Sequence, residues 1–195
     1  MQARLPAARR RRQLLDVALR SFADRGFHQT SMDDVAEAAG VTKPVLYQHF
    51  ASKRDLYLEL LDDVGGRMMD AIAKAVAAAH GPRQQVEAGF GAYFRFVADE
   101  ADAFQLLFGT GTQRDEDFER AVSRVEESIA EAVAVFIVAD IEPEHRRLLA
   151  HGLVGLAEGT SRLWLADGMP SAPDLLARRI AELAWAGLRG VSRAD

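Results

Sequence analysis

The sequence predicts an all-α protein. Apolar residues recur at three- and four-residue spacing along most of the chain, and no stretch shows the sustained period-two alternation of a half-buried strand. Glycine, proline and cap residues divide this pattern into about nine helices. We therefore expect an N-terminal domain of three helices over residues 1–54, joined by a long fourth helix to a larger helical domain over residues 55–195.

The first two helices have clear signals at both ends. We expect the first helix over residues 9–24, because its apolar face is followed by Gly26, which stops it. The Thr30-Ser31 pair offers caps for the second helix, where an acidic residue, Asp34, stands three positions after Ser31 as in a capping box. Gly40 ends this helix.

The third helix is predicted to be about two turns long and the fourth much longer. Thr42 caps the third helix, and Pro44 is tolerated because first-turn N–H groups have no partner within a helix. Ser52 caps the fourth helix, which continues to about Ala79 with a possible bend at Gly65-Gly66. Its apolar stripe consists of Leu56, Leu60, Val64 and Met68.

The rest of the chain predicts five more helices, divided by short segments rich in glycine and proline. We expect these helices over residues 83–98, 101–108, 114–139, 144–167 and 172–190. The dividing segments are His80-Gly81-Pro82, Gly109–Thr112, Ile141–Pro143 and Gly168–Pro173.

The charge changes sign along the chain. Residues 1–54 contain 10 basic and 5 acidic residues, whereas the remainder contains 14 basic and 24 acidic residues. This distribution predicts a polyanionic partner for the N-terminal domain.

The chain has no cysteine, and its longest apolar run, residues 132–139, is far shorter than the roughly 20 residues of a membrane span. We expect a cytoplasmic protein that needs neither membrane nor cofactor.

Residues 31–50 carry the pattern of a helix-turn-helix. Ala39-Gly40-Val41 forms the turn, since glycine accepts a left-handed backbone and the small Ala36 lets the third helix approach. We expect Val41, Leu46 and Phe50 on the buried face of the third helix. Its outer face then presents Lys43, Pro44, Val45, Tyr47, Gln48 and His49.

That outer face suits a DNA groove better than plain solvent. Lys43 and Gln48 can donate to base edges, and the Pro44-Val45 pair can contact a thymine methyl group. Tyr47 and His49 can donate to phosphates on either side of the groove. These chemistries predict double-stranded DNA as a partner.

The motif resembles the N-terminal signature of TetR-family regulators. The resemblance lies in Val35-Ala36, Ala39-Gly40-Val41-Thr42, Tyr47-x-His49-Phe50 and Lys53, preceded by Gly26-Phe27. It implies a third helix in the major groove, phosphate contacts by Tyr47, His49, Lys53 and Thr30, and a repressor that a small molecule releases from its operator. The DNA-binding candidates are Thr30, Thr42, Lys43, Pro44, Val45, Tyr47, Gln48, His49 and Lys53.

The last two long helices contain a stripe of small residues that predicts a homodimer. Each glycine inside a helix is unfavourable by about 1 kcal/mol relative to alanine, which suggests close helix approach at these positions. A four-helix bundle formed by two subunits would use them, as the resemblance also implies. The predicted interface residues are Gly152, Gly155, Gly159, Ile180, Leu183, Ala184 and Gly187.

Aromatic residues concentrate between residues 90 and 118. Such residues at helical spacing form either plain core or the wall of a cavity, and the resemblance implies a small-molecule site in this region. We expect an apolar or amphipathic effector. The candidate effector-binding residues are Phe90, Tyr93, Phe94, Phe104, Phe108 and Phe118.

Three alternatives stay open. The protein could bind DNA constitutively, with its larger domain serving only dimerisation. A helical-bundle metalloenzyme is a remote possibility, because Glu142-Pro143-Glu144-His145 contains one Glu-x-x-His spacing, although such sites need two copies. The Arg9–Arg12 cluster is either a solvated helix start or an arm that reaches DNA. We expect no catalytic or metal-binding residue.

Overall fold

The computed structural model describes residues 6–108, 116–137 and 139–191. Within these residues it contains nine helices and no strand, which confirms the predicted class. The helices are α1 (Ala7–Gln29), α2 (Met32–Ala38), α3 (Lys43–Tyr47), α4 (Lys53–Ala77), α5 (Pro82–Asp99), α6 (Ala101–Phe108), α7 (Glu116–Ala134), α8 (Pro143–Ala166) and α9 (Pro173–Leu188).

Most helix boundaries lie within about two residues of their predicted positions. Gly26 interrupts α1 with a φ of 76°, as expected, but a further helical turn follows it instead of a loop. α7 ends at Ala134, five residues before its predicted end at residue 139. The predicted division at Gly109–Thr112 lies outside the described residues.

The helices form two compact units. The first consists of the described residues within Met1–Val64 and Asp102–Ala121, and the second of those within Gly65–Ala101 and Val122–Asp195. α6 and the start of α7 thus belong with the N-terminal helices, although they follow them by many residues in sequence. Functional domains at residues 1–54 and 55–195 stay a prediction.

The first unit is built around an aromatic cluster. Phe118 packs with its ring centre 4.5 Å from that of Tyr57 and 4.8 Å from that of Phe27, and Phe22 meets Tyr57 edge-on at 5.1 Å. Burial raises the pKa of Tyr57 to about 12. These rings join α1, α4 and α7 in one core.

In the second unit, α9 packs along α5. The buried residues of α9 are three alanines, Ala177, Ala181 and Ala184, and their small side chains allow the helices to approach closely. Ala184 is therefore buried within its own subunit, and its place in a dimer interface stays a prediction. Among the described residues, no helix combines the length and the apolar composition needed to cross a bilayer.

α4 runs through Gly65-Gly66 as one continuous helix, and a bend there stays a prediction. A Cβ atom at Gly65 would lie 2.5 Å and 2.8 Å from the two methyl groups of Val125, whereas a Cβ at Gly66 meets none of the described residues within 4 Å. Gly65 therefore allows α7 to approach α4, and Gly66 has no such role.

We expect the adjacent substitutions Gly65→Ala and Gly66→Ala to have opposite effects. Gly65→Ala overpacks against the stiff side chain of Val125 and lowers the free energy of unfolding by about 1 to 3 kcal/mol. Gly66→Ala raises it by up to about 1 kcal/mol, because alanine favours the helix. Urea denaturation at equal protein concentration measures both, and a stabilised Gly65→Ala variant would contradict the inferred close approach.

Candidate nucleic-acid interface

The turn between α2 and α3 is fixed by local hydrogen bonds at each end of α2. The Asp34 amide donates to the Ser31 hydroxyl at 3.1 Å, and the Ser31 amide donates to the Asp34 carboxylate at 2.7 Å, which confirms the capping box. The hydrogen bond from the Ser31 side chain is the main cause that lowers the pKa of Asp34. After α2, Gly40 adopts a φ of 63°, and the Val41 amide donates to the Ala36 carbonyl at 3.0 Å.

α3 is amphipathic, with one face buried in the first unit. Leu46 and Phe50 are almost completely buried, as predicted. Val41 is only half-buried, which corrects its predicted place in the core. It stands before α3, one residue ahead of the N-cap Thr42.

The opposite face of α3 is open to solvent. Tyr47, a large aromatic side chain, is 43% exposed. Thr42 occupies the N-cap position as predicted, although its side chain makes no capping hydrogen bond. The exposed candidates are Thr42, Lys43, Pro44, Tyr47 and Gln48, and the half-buried ones are Val45 and His49.

The N-terminal arginines hold this region together. Arg11 lies 4.7 Å from the centre of the Phe50 ring, donates to the His49 carbonyl at 3.3 Å, and forms an ion pair with Glu59 of α4. Arg12 pairs with Asp63 at 2.6 Å. At least these two members of the Arg9–Arg12 cluster therefore bind carboxylates of the first unit, a role that differs from both a solvated helix start and an arm that reaches DNA.

Two candidate lysines have partners within the chain. The Lys43 ammonium lies 2.9 Å and 3.0 Å from the two carboxylate oxygens of Asp33, and this hydrogen-bonded pair raises the pKa of Lys43. The Lys53 ammonium donates to the Phe27 carbonyl at 2.8 Å and lies 4.3 Å from the centre of the Phe27 ring. Since an ammonium carries three N–H donors, each lysine keeps donors for another acceptor.

Thr30 has a structural position instead of the expected contact with DNA. Its side chain is buried, with 1% exposed, and its hydroxyl lies 3.0 Å from the Ser21 carbonyl and 2.9 Å from the Gly26 carbonyl. The hydroxyl closes the end of α1, so it is not available to a phosphate in this structure. Its burial depends on the packing of α1, which the local motif does not reveal.

The second unit contains an apolar cavity. The space open to the centre of a water molecule is about 120 Å³, and α4, α5, α7, α8 and α9 all contribute to its wall. No charged side chain lines it. The wall consists of Met69, Ile72, Ala73, Val76, Gln85, Val86, Gly89, Phe90, Tyr93, Ile129, Ala132, Val133, Phe136, Ile137, Leu153, Val154, Ala157 and Leu188.

Only two of the six aromatic candidates, Phe90 and Tyr93, line this cavity. Phe94 is fully buried and packs edge-on against Tyr93 and Trp164. The other three are buried in the first unit and do not line this cavity, so their effector role stays a prediction without support from the cavity wall. They are Phe104, Phe108 and Phe118.

Sequence reasoning missed most of the cavity wall. One signal was present, because Ile72 and Val76 continue the four-residue spacing of the α4 stripe beyond Met68. An apolar stripe does not distinguish a filled core from a cavity, since both need the same residue types.

Two hydroxyl groups are buried close to the cavity. Tyr93 and Ser161 have no hydrogen-bond partner of standard geometry among the described residues. Burial strongly raises the pKa of Tyr93, and the nearby Ser161 hydroxyl has a smaller effect in the opposite direction. Burial therefore favours the protonated form of the Tyr93 hydroxyl.

Within the part of the chain that the structure describes, an apolar stripe on the second unit is exposed. Leu148 and Leu163 of α8 are 69% and 63% exposed, and Leu183 of α9 is 60% exposed. Between the two leucines of α8 lie the three predicted interface glycines, at which a Cβ would meet nothing within 4 Å in the part of the chain that the structure describes. Gly187 of α9 is equally open, and Ile180 is half-buried.

The Glu-x-x-His sequence lies at the start of α8. Pro143 is the first residue of that helix, one residue before its predicted start, and Glu142 is its N-cap. Within residues 6–108, 116–137 and 139–191, no group of three or more histidine and carboxylate side chains is arranged to hold a metal ion.

Comparison with known families agrees with this architecture along most of the chain. A family described as "Bacterial regulatory proteins, tetR family" matches residues 14–60, and "Tetracyclin repressor-like, C-terminal domain" matches residues 82–187. The HTH-type transcriptional activator FasR of Mycolicibacterium smegmatis is 34% identical over 190 residues, covering 96% of this chain and 87% of that protein. The regulator BetI of Rhizobium meliloti is 28% identical, covering 88% of this chain and 84% of that protein.

Solved structures show the same fold. A TetR-like regulator from Rhodococcus sp. RHA1 matches with a TM-score of 0.79 and 32% identity, covering 96% of this chain and all of that one. FadR of Bacillus subtilis, crystallised with stearoyl-CoA, matches with a TM-score of 0.80 at 16% identity, covering 90% of this chain and 98% of that one.

These families and relatives are transcriptional regulators and not enzymes. Both halves of the family pattern occur in the expected order, and the helix-turn-helix lies where the first of them matches. The chain is a DNA-binding transcriptional regulator that belongs to the TetR family.

Proposed function

We propose that the chain acts as a homodimeric repressor, which places α3 in the major groove of a palindromic operator and is released by an apolar or amphipathic small molecule. The main support for the DNA contact is the exposed face of α3. The buried side chains of Leu46 and Phe50 hold this helix in place. Binding to chromosomal DNA also requires a cytoplasmic location.

We assign three side chains to phosphates: Tyr47 at the end of α3, His49 just after it, and Lys53, the first residue of α4. Lys43 and Gln48 donate to base edges, and Pro44-Val45 supplies apolar contact with a thymine methyl group. Thr42 adds a hydroxyl at the start of the helix. We assign no DNA contact to the Thr30 side chain, because its hydroxyl already hydrogen-bonds to backbone carbonyls inside the first unit.

The exposed stripe of α8 and α9 supports a dimer. Three large leucines and four glycines on these helices leave an apolar surface that lets a second copy approach closely. A two-fold dimer would set the recognition helices about 34 to 36 Å apart, one turn of DNA, which is why we propose a palindromic operator.

The cavity supports regulation by a small molecule over constitutive DNA binding. A space that side chains leave unfilled, with an uncharged lining, suits an apolar chain or ring better than a polar metabolite. α4 carries cavity residues near its C-terminus and Lys53 at its N-terminus, so one continuous helix links effector and DNA contacts. Release requires only that the effector binds the DNA-incompetent conformation more tightly, by a few kcal/mol.

The direction of regulation depends on where the operator lies relative to the promoter. Relatives of this chain include the activator FasR and KstR2, named a repressor, so one architecture serves both outcomes. We propose repression, by a bound dimer that blocks the promoter.

Selection of bound sequences from random duplex DNA tests the DNA contacts. On the selected operator, we expect Tyr47→Phe and Lys53→Ala to weaken binding to all sequences alike, and Lys53→Ala to reduce the slope of log affinity against log salt by about one. Lys43→Ala should instead relax base preference at one position. Fluorescence anisotropy over a salt series measures these effects.

The control is Lys74→Ala, which removes the same charge from the C-terminal end of α4. It should leave the salt slope unchanged. Because Lys53 also bonds to Phe27, thermal melts must show that Lys53→Ala is folded. An unaltered salt slope in a folded Lys53→Ala variant would refute the phosphate contact.

Gly155→Glu tests the dimer. A Cβ at Gly155 meets no described residue of the same subunit, so the variant should fold but sediment as a monomer and bind the operator at least tenfold more weakly, since two half-sites are no longer bound together. Gly66→Glu is the control, because it introduces the same charge at an open glycine of α4. A dimeric Gly155→Glu variant would exclude this stripe as the interface.

Ala157→Leu tests the cavity. Ala157 is buried at the cavity wall, and three more carbon atoms there occupy space that an effector would need. The screen measures release of labelled operator by a long-chain fatty acid, its CoA thioester and a lipophilic drug. We expect at least one compound to release the wild-type protein and to lose tenfold or more potency on Ala157→Leu, with operator affinity unchanged. Equal potency on both proteins would place the effector elsewhere.

A further inference from the structure

One carboxylate stands on the side of the helix-turn-helix that carries the candidate DNA contacts. Asp33 lies in the first turn of α2, and both of its oxygens lie within 3.0 Å of the ammonium of Lys43, the first residue of α3. Both side chains are otherwise exposed to solvent. The ion pair therefore bridges the two helices of the motif.

Such an exposed pair contributes little to folding stability, because water screens it and two long side chains lose freedom. The pair matters instead because it restrains the position of the Lys43 ammonium. An unrestrained lysine at the edge of a groove binds the nearest phosphate, which adds affinity for every sequence and no preference among them.

We infer that Asp33 is a positioning residue that determines sequence specificity, by restraining the Lys43 ammonium so that it donates to a base edge instead of a phosphate. This inference rests on the proposed function. An ammonium bound to one carboxylate retains an N–H donor, which can reach an acceptor such as guanine O6 or N7. The pair as a unit has no net charge, so it also adds little attraction for DNA in general.

The chain offers a matched control on the same helix. Glu37 stands one turn after Asp33, is exposed, and forms no ion pair within the part of the chain that the structure describes. Glu37→Gln removes the same charge as Asp33→Asn, so both reduce repulsion by DNA. Only Asp33→Asn also frees Lys43.

The experiment measures the affinity of the full-length protein for its selected operator and for a scrambled duplex of equal length, over a salt series. The proteins are wild type, Asp33→Asn, Glu37→Gln, Lys43→Ala and the double variant Asp33→Asn with Lys43→Ala. For Asp33→Asn we expect tighter binding to scrambled DNA, a salt slope steeper by about one, and a ratio of operator to scrambled affinity lower by about fivefold or more.

Two controls should separate positioning from charge alone. In the Lys43→Ala background, Asp33→Asn should no longer change the affinity ratio. Glu37→Gln should tighten binding to both duplexes similarly and leave the ratio within about twofold of wild type.

Three results would overturn the inference. The ratio could stay unchanged in Asp33→Asn, Glu37→Gln could lower it equally, or Asp33→Asn could still lower it without Lys43, which would mean that Asp33 itself contacts a base. Since both residues are exposed, thermal melts are expected to match wild type. A wild-type protein that ignores every duplex at low salt would instead refute the proposed function, and that outcome is distinct from all three.

Discussion

The surface that we propose for DNA recognition depends on the burial of two side chains, Leu46 and Phe50. α3 is only five residues long, and a helix of that length does not persist in water by itself. It is held because these two residues enter the core of the first unit, where Arg11 lies over the Phe50 ring. The left-handed backbone at Gly40 sets the direction in which α3 leaves α2. With these constraints met, Lys43, Pro44 and Tyr47 stay exposed on the other face of α3, where we propose the contact with DNA.

The basic character of the N-terminal region is largely compensated within the domain. Arg11 and Arg12 pair with carboxylates of α4, Lys43 pairs with Asp33, and Lys53 bonds to a backbone carbonyl. A phosphate therefore competes with partners already present, so the net charge of residues 1–54 overstates the positive charge that DNA meets. Such competition favours contacts with the correct geometry over simple attraction, which is a requirement for reading sequence.

The sequence predicted the helices more completely than it predicted the surroundings of the candidate site residues. The two differ because helix ends depend on local interactions, whereas burial depends on how the helices pack. Helix ends depend on neighbours in the chain, so the capping box of Ser31 and the end of α2 at Gly40 could be identified directly, whereas Gly26 only interrupts α1. The buried and exposed faces of α3 follow from helical period. Thr30 and the aromatic candidates Phe104, Phe108 and Phe118 depend on which helices pack together, and residue type alone does not encode that choice.

The sequence by itself determined the all-helical class, the helix order and the family signature, because period, caps and turns act over a few residues. Only the tertiary structure decided that α6 and the start of α7 complete the core of the first unit, and that the cavity lies among α4, α5, α7, α8 and α9. It also decided that Asp33 holds Lys43. Each of these outcomes brings together residues whose distance in space is set by packing, and that distance has no fixed relation to their spacing along the chain.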